Sequence, residues 1–409
     1  MTKADKEGQR KAPILRFKGF TDAWEQRQLQ NQVQFFSGLT YSPSDVKDVG
    51  TFVIRSSNIK DSTLISADNV YVNPNIANSE PVKKDDVIMV VRNGSKSLIG
   101  KHALVTRKID NTVIGAFMTG IRSSTPYFLD ALLDTINFKK EIYKNLGATI
   151  NQITIGNLRK MTFKVPNKSE KFKIGNLFKK LNYLLALYER KLKLLSQVKK
   201  YFLDNLFAEK EYPNLRFKGF TDAWEQRKLS EMTQQVKRTS DSENPILTIS
   251  AKNGWMDQKD RFNRVIAGKE LKNYIELYKN ELSYNHGNSK YAKFGIIYVQ
   301  RKYEKALVPK VYHSFSMSYG DPRFIENLSL GHKLDKELSK LITSGARQDG
   351  LLNINKKSFY TIKLFIPSEQ EQIKISNIMD VINHIITLHN NKKQNLIEIK
   401  KKLLNTMFI

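Results

Sequence analysis

The stretch Leu15-Arg-Phe-Lys-Gly-Phe-Thr-Asp-Ala-Trp-Glu-Gln-Arg27 returns, residue for residue, at positions 215–227. Thirteen identical residues at an offset of 200 are not coincidence, and a fixed-period repeat is the feature to settle before any other. The repetition reaches beyond the block. Pro166 is followed by a long helical pattern ending at Phe207, and Pro367 by one ending at Phe408, each 41 residues away. In the first pattern Ile174, Leu177, Leu181, Leu184, Tyr188, Lys191, Leu195, Val198 and Phe202 recur at steps of three and four. Ile375, Ile378, Ile382, Ile385, His389, Lys392, Leu396, Ile399 and Leu403 match them at an offset of 201. This is a heptad seam with a lysine at equivalent places. Lys191 and Lys392 either fix the register or extend out of the seam.

A seam of this kind cannot bury itself, so each helix needs a partner. Their equal length and register make the two helices natural partners, in an antiparallel rod of roughly 60 Å. The expected layout is therefore a domain over 1–165, a central helical region over 166–210, a second domain over 211–366 and a C-terminal helical region over 367–409. The fold class is α+β, with a pseudo-twofold internal repeat and two mixed α/β domains separated by a pair of antiparallel coiled-coil helices. Inside the domains, Asp86–Val91, His102–Thr106, Phe294–Val299 and Ala306–Val311 read as strands bounded by turn residues. Helices are expected near 127–145 and 321–344. Residues 33–165 and 230–366 share little sequence beyond their edges.

Composition narrows the partners. Among 409 residues, 68 Lys and Arg against 40 Asp and Glu give a net charge of +28, which points to a polyanion, above all nucleic acid. With no cysteine, disulfide scaffolds, cysteine-ligated metals and thiol nucleophiles are excluded. Residues 1–20 lack an apolar signal core, and no run of about 18 apolar residues exists to span a membrane, so a cytoplasmic location is expected. The helix over 168–210 carries eleven basic and four acidic residues, a face for DNA, for a partner subunit or for solvent.

The arrangement resembles the specificity (S) subunit of type I restriction–modification enzymes over essentially the whole chain. The residues that carry the likeness are the repeated block, Val53–Ile59, Leu247–Ala251, Ser283-Tyr-Asn-His-Gly-Asn288, Gly345-Ala-Arg347 with Gly350–Ile354, and the closing segments Gly147–Gln152 with Val165-Pro166 and Ile366-Pro367. The resemblance implies two target-recognition domains, each reading one half of an asymmetric, bipartite double-stranded DNA site. It implies helical regions that set the spacer and dock two methyltransferase subunits, which methylate one adenine in each half. Restriction/translocase subunits would join to cut unmodified DNA. The S subunit itself would carry no catalytic site, and S-adenosylmethionine, ATP and Mg2+ would belong to the partner subunits.

Enzymatic alternatives find little support in the residues. An adenine methyltransferase needs a Pro-Pro turn to hold the flipped base, and no Pro-Pro occurs. No G-x-G-x-x-G loop occurs either, and Gly94–Lys101 is one residue too long for a phosphate loop, with His102 in place of its Ser or Thr. Asp85-Asp86 and Glu189 form no carboxylate constellation for metal-dependent cleavage. The six histidines are scattered, and His384 and His389 are spaced wrongly for a metal pair. His389 reads as a polar seam residue matching Tyr188.

Base reading uses Arg, Lys, Asn, Gln and Ser on loops. In the first domain the candidates are Arg55, Ser56 and Asn58; Arg92, Asn93, Ser95 and Lys96; and Asn151 and Gln152. In the second they are Lys252 and Asn253; Asn285, His286, Asn288, Ser289 and Lys290; and Arg347 and Gln348. Ordinary turn chemistry favours the same residue types. Two other function classes stay open at this point. One is a self-sufficient nucleic-acid enzyme with an unrecognised site, and the other a basic coiled-coil assembly protein without sequence preference.

Overall fold

In the computed structural model the two copies of the repeated block do the same work in two places. The structure describes residues 11–147, 151–239, 243–262, 268–287, 289–342 and 351–409. The chain divides into two compact units, Met1–Glu189 with Asn391–Ile409, and Arg190–Asn390. Each long helix, Lys168–Asn205 and Glu369–Met407, is therefore split between the units.

In the first unit the helix Lys168–Asn205 opens after Asn167, whose Oδ1 accepts the Glu170 backbone N–H at 2.9 Å. The Glu170 carboxylate, at the third helical position, takes the Arg16 guanidinium with both oxygens at 2.8 Å, and Trp24 Nε1 donates to it at 3.3 Å. One residue earlier, the Leu15 amide donates at 2.9 Å to Thr406 O, an orphan carbonyl in the last turn of the other long helix. Strand β1, Glu25–Gln28, then pairs antiparallel with the strand Thr162–Val165 that leads into Pro166. The block thus ties the start of one long helix to the end of the other. The second unit repeats this: Arg216 pairs with Glu371 at 2.9 and 2.8 Å, and the Leu215 amide donates to Asn205 O at 2.9 Å. There Glu225–Lys228 pairs with Lys363–Ile366.

Between these ties each unit holds a four-stranded antiparallel sheet. In the first it comprises β2 (Val33–Ser37), β3 (Val87–Val90), β4 (His102–Leu104) and β5 (Met118–Ser123), in the order β2-β5-β3-β4. In the second, β6 (Thr233–Gln235), β7 (Leu282–Asn285), β8 (Ile296–Val299) and β9 (His313–Met317) follow the same order, β6-β9-β7-β8. β3 is buried along its whole length, as a continuous Val-Ile-Met-Val run requires. Gly120 on β5 is dictated by close approach, because a Cβ there would strike the Phe36 ring of the neighbouring strand. The internal likeness of the two domains, hidden in their sequences, is thus plain in their topology. The expected strands are present, and the expected helices are Pro126–Asp134, Ile136–Lys144, Pro322–Leu330 and Asp335–Ser339.

The long helices run antiparallel within the first unit: Lys393 Nζ donates to Glu189 at 2.6 Å, while Phe178 lies 5.9 Å from Phe408. The seam passes through Ile174, Leu181, Tyr188 and Leu195 as expected. Leu177 packs in the core as expected, beside Phe178, but from there on the companion positions lie one residue later than the heptad count gave, at Leu185, Leu192 and Lys199, all half-buried. Leu184, Val198 and Ile399, assigned to the seam from sequence, are 38, 42 and 48 % exposed. The reason is that the first helix is apolar over a wide arc, with candidates on both sides of the central line. Leu184 and Leu185 offer the same side chain to either count, and packing selects the second. Lys191 and Lys392 are exposed, so neither interrupts the seam. His389 is buried, its Nδ1 facing Ile385 O at 2.9 Å.

The helix Pro126–Asp134 is joined to both long helices by a buried polar cluster. Asn182 Nδ2 donates to Asp130 at 3.2 Å, Lys400 Nζ to Asp134 at 2.7 Å, and His102 Nε2 lies 3.6 and 3.7 Å from the two carboxylates. Burial pushes the Asp130 carboxyl up to about 6, against the pull of His102 and with the push of Asp134. The folded state therefore holds this proton where the unfolded chain has lost it. The stability it contributes is fully present below about pH 4 and is lost as pH rises through 6. Asp130→Asn is expected to gain on the wild type by about 2–3 kcal/mol between pH 4 and 7 in urea unfolding. A difference that does not vary with pH would refute the assignment.

Candidate nucleic-acid interface

In the first unit the three polar clusters, far apart in sequence, come together. β3 ends in a bulge opposite Phe117: the amides of Val91 and Arg92 both donate to Phe117 O, at 3.0 and 3.2 Å. The bulge turns Arg92 outward, where its guanidinium lies 5.0 Å above the Phe117 ring. Arg92 also pairs across to Gln152, and the Asn93 amide donates to Asn151 O at 3.2 Å. Asn151 Nδ2 returns a bond to Gly94 O at 2.9 Å, and Asn93 Nδ2 donates to Ser56 Oγ at 3.2 Å. Arg92, Asn93, Asn151, Gln152 and Ser56 therefore form one connected surface. Ser95 and Lys96 are exposed at its margin, Ser95 donating its amide to Asn93 Oδ1 at 3.0 Å.

Two of the predicted residues sit deeper. Asn58 is buried, and its Nδ2 donates to Ala67 O at 2.7 Å and to Asn69 Oδ1 at 3.1 Å while its Oδ1 accepts the Arg55 amide at 2.9 Å. Arg55 donates to Asp68 O at 2.6 Å. Both brace the loop that presents Ser56.

The second unit joins the corresponding strand end and closing segment by different residues. Where Ile153 donates its amide to Val91 O at 2.9 Å in the first unit, Leu352 donates to His286 O at 2.8 Å in the second. His286 is buried with its ring nitrogens facing Leu352 O at 2.7 Å and Val311 O at 3.0 Å. Its ring stacks 5.2 Å from His313, which burial, reinforced by His286, holds down at about 3. His286 thus fastens the closing segment and presents no edge to solvent. Asn285 Nδ2 donates to Ile249 O at 3.3 Å and its Oδ1 accepts the Gly287 amide at 3.1 Å, which links this loop to the turn bearing Lys252 and Asn253. Lys252, Asn253 and Lys290 are exposed, and Ser289 Oγ accepts the Ala292 amide at 3.1 Å. Asn288, Arg347 and Gln348 lie outside the described residues, as does the Gly345–Gly350 motif.

Two exposed rings, Phe117 and Tyr291, sit on these surfaces and were not found from sequence. A search confined to polar base readers passes over them, although their place in turns flanked by Gly-Ala and Ser-Lys was a usable signal. Among the described residues no group of three or more His, Asp or Glu could hold a metal ion, and no helix is long and apolar enough to cross a membrane.

No protein-family model matches this sequence, and no curated protein is significantly similar to it. Solved structures are similar in fold. The S subunit of a type I restriction–modification system from M. genitalium matches with a TM-score of 0.62 at 13 % identity, over 97 % of this chain and 99 % of that one. A structure described as the basis of complex assembly and conformational transition of the type I system gives 0.48 at 14 % identity, over 94 and 97 % of the two chains. The HsdS subunit from Thermoanaerobacter tengcongensis gives 0.41 at 14 %, over 98 and 99 %.

Proposed function

We propose that this chain, which has the fold of a type I S subunit, is a non-catalytic reader of an asymmetric, two-part DNA site, one half per domain. The observation that carries the reading is the convergence of Ser56, Arg92, Asn93, Asn151 and Gln152 on one surface of the first domain. A single solvated loop would not need three distant segments bonded to one another. The net charge of +28 supplies the attraction to phosphate, and the polar side chains supply the means to tell bases apart.

The paired helices fit a docking role for methyltransferase subunits, with restriction/translocase subunits joining the complex. Outside the seam, the first long helix exposes Leu184, Leu187, Leu194, Val198 and Tyr201, spaced by three, four or seven residues. The second exposes Val381, Leu388, Ile397 and Ile399. An apolar stripe of this length on an already paired helix is what a further helix of a partner subunit would cover.

The test is a single-molecule map of methyladenine in the host genome with this gene intact and deleted. Loss of one gapped, asymmetric motif on deletion is the expected result. A genome whose methylation does not change, together with failure of the chain to co-purify with a methyltransferase subunit, would overturn the reading. Within the motif, Arg92→Ala is expected to relax one position of one half-site by about 10- to 100-fold, the range for losing an arginine–guanine contact, and to leave the other half unchanged. A simultaneous change in both halves would contradict independent readers.

A further inference from the structure

Each recognition surface carries an exposed aromatic ring at the third position of a tight turn. Phe117 is 54 % exposed at the third position of the turn Gly115–Met118, which the Met118 amide closes on Gly115 O at 2.9 Å. Tyr291 is also 54 % exposed, at the third position of the turn Ser289–Ala292, which is closed in both directions by amide–carbonyl bonds of 3.1 and 3.2 Å. In each case a cation from a predicted reading cluster lies over the ring: Arg92 at 5.0 Å from Phe117, and Lys252 at 5.8 Å from Tyr291. Single exposed apolar residues are ordinary on protein surfaces. Here the same device occurs in both units, at the same turn position, on the surface assigned to DNA, and the two rings do not occupy equivalent places in the fold.

We infer that Phe117 and Tyr291 are specificity-determining contacts, each packing its ring against the 5-methyl group of a thymine in its own half-site. The inference rests on the reading of this chain as a DNA-sequence reader. The chemistry favours the thymine methyl because it is the one apolar group that B-DNA presents in the major groove. A ring beside an arginine or lysine places an apolar contact next to a donor for phosphate or guanine. The turns hold both rings without help from a ligand, so little ordering is needed on binding. For Phe117 the bulge at Val91 and Arg92 fixes the backbone from the opposite strand as well.

The test combines methyladenine maps of hosts carrying wild type, Phe117→Ala, Phe117→Leu and Tyr291→Ala with binding of the wild-type motif in duplexes containing thymine or deoxyuridine. Removing one buried methyl group corresponds to about fourfold in affinity. Wild type is therefore expected to bind the thymine duplex about fourfold better per contact. Phe117→Ala should lose that preference at one position of one half-site, Tyr291→Ala should do so in the other half, and Phe117→Leu should retain most of it. The unaffected half of each motif reports that the variant is folded. If Phe117→Ala keeps both the wild-type motif and the wild-type thymine preference, the inference is overturned while the function stands. If the wild type itself shows no gapped motif, the reading of function falls and the inference with it.

Discussion

Arg16→Ala is expected to lower the stability of the first unit by about 3–5 kcal/mol, the cost of stranding a buried charge. Glu170 is fully buried and both its oxygens are held by the Arg16 guanidinium, itself only 12 % exposed. That pairing raises the affinity of Arg16 for its proton, so alanine removes a group that is charged at every accessible pH. What remains is a carboxylate in the first turn of a helix with Trp24 Nε1 as its side-chain donor at 3.3 Å. Arg216→Ala should do the same to the second unit through Glu371. The two tryptophans separate the sites further. Trp24→Phe gives up a hydrogen bond to a charged acceptor, worth about 1.5–3 kcal/mol. Trp224 Nε1 is buried without a hydrogen-bond partner among the described residues, so Trp224→Phe gives up none. Hydrogen exchange of residues 25–28 and 162–165, against 225–228 and 363–366, would show which unit has loosened. Equal loosening of both by Arg16→Ala would sink the assignment.

The repeated block was legible in sequence, but its meaning was not. Identity at an offset of 200 announces an equivalent role without naming the partners, since Glu170 and Glu371 look like ordinary acidic residues of a first helical turn. The strand Val87–Val90 was legible because a buried central strand needs an unbroken apolar run. The seam was half legible. Ile174, Leu181, Tyr188 and Leu195 were right, but a helix apolar over a wide arc offers two sets of companions, and only packing chooses between them. The common topology of the two domains was invisible because aligned places hold unlike residues. Val91 is a simple apolar filler, whereas the ring nitrogens of His286 face the carbonyls of Leu352 and Val311. At the proposed recognition surface, residue type alone could not separate Arg92, which faces outward, from Asn58, which is buried in its own turn.

Removing the C-terminal residues is expected to damage the N-terminal domain. Phe408 packs against Phe128, Phe178 and Trp24, with ring centroids 5.5, 5.9 and 6.2 Å away, inside the core that also holds Leu29, Phe138 and Phe163. Phe408→Ala should cost the first unit about 3–5 kcal/mol, the usual range for emptying a buried phenylalanine site. Phe207 fills the corresponding place in the second unit, 5.2 Å from Phe324, which in turn meets Trp224 at 5.7 Å. Phe207→Ala should therefore weaken residues 211–366 and spare residues 11–165. Each core is completed by the far end of the helix that belongs to the other repeat. Ile174 and Phe178 open the first long helix in one core, and Leu203, Leu206 and Phe207 close it in the other. Truncation after Asn390 removes the whole second-helix contribution to the first unit, including Leu396, Leu403, Met407 and Phe408. Domain-resolved hydrogen exchange on the truncated chain should show residues 11–165 exchanging fast, with 211–366 still protected. Protection that persists over 11–165 would mean that the first domain is complete without the C-terminal segment. Because each domain is assembled from both long helices, an insertion into either helix should act on the stability of both domains.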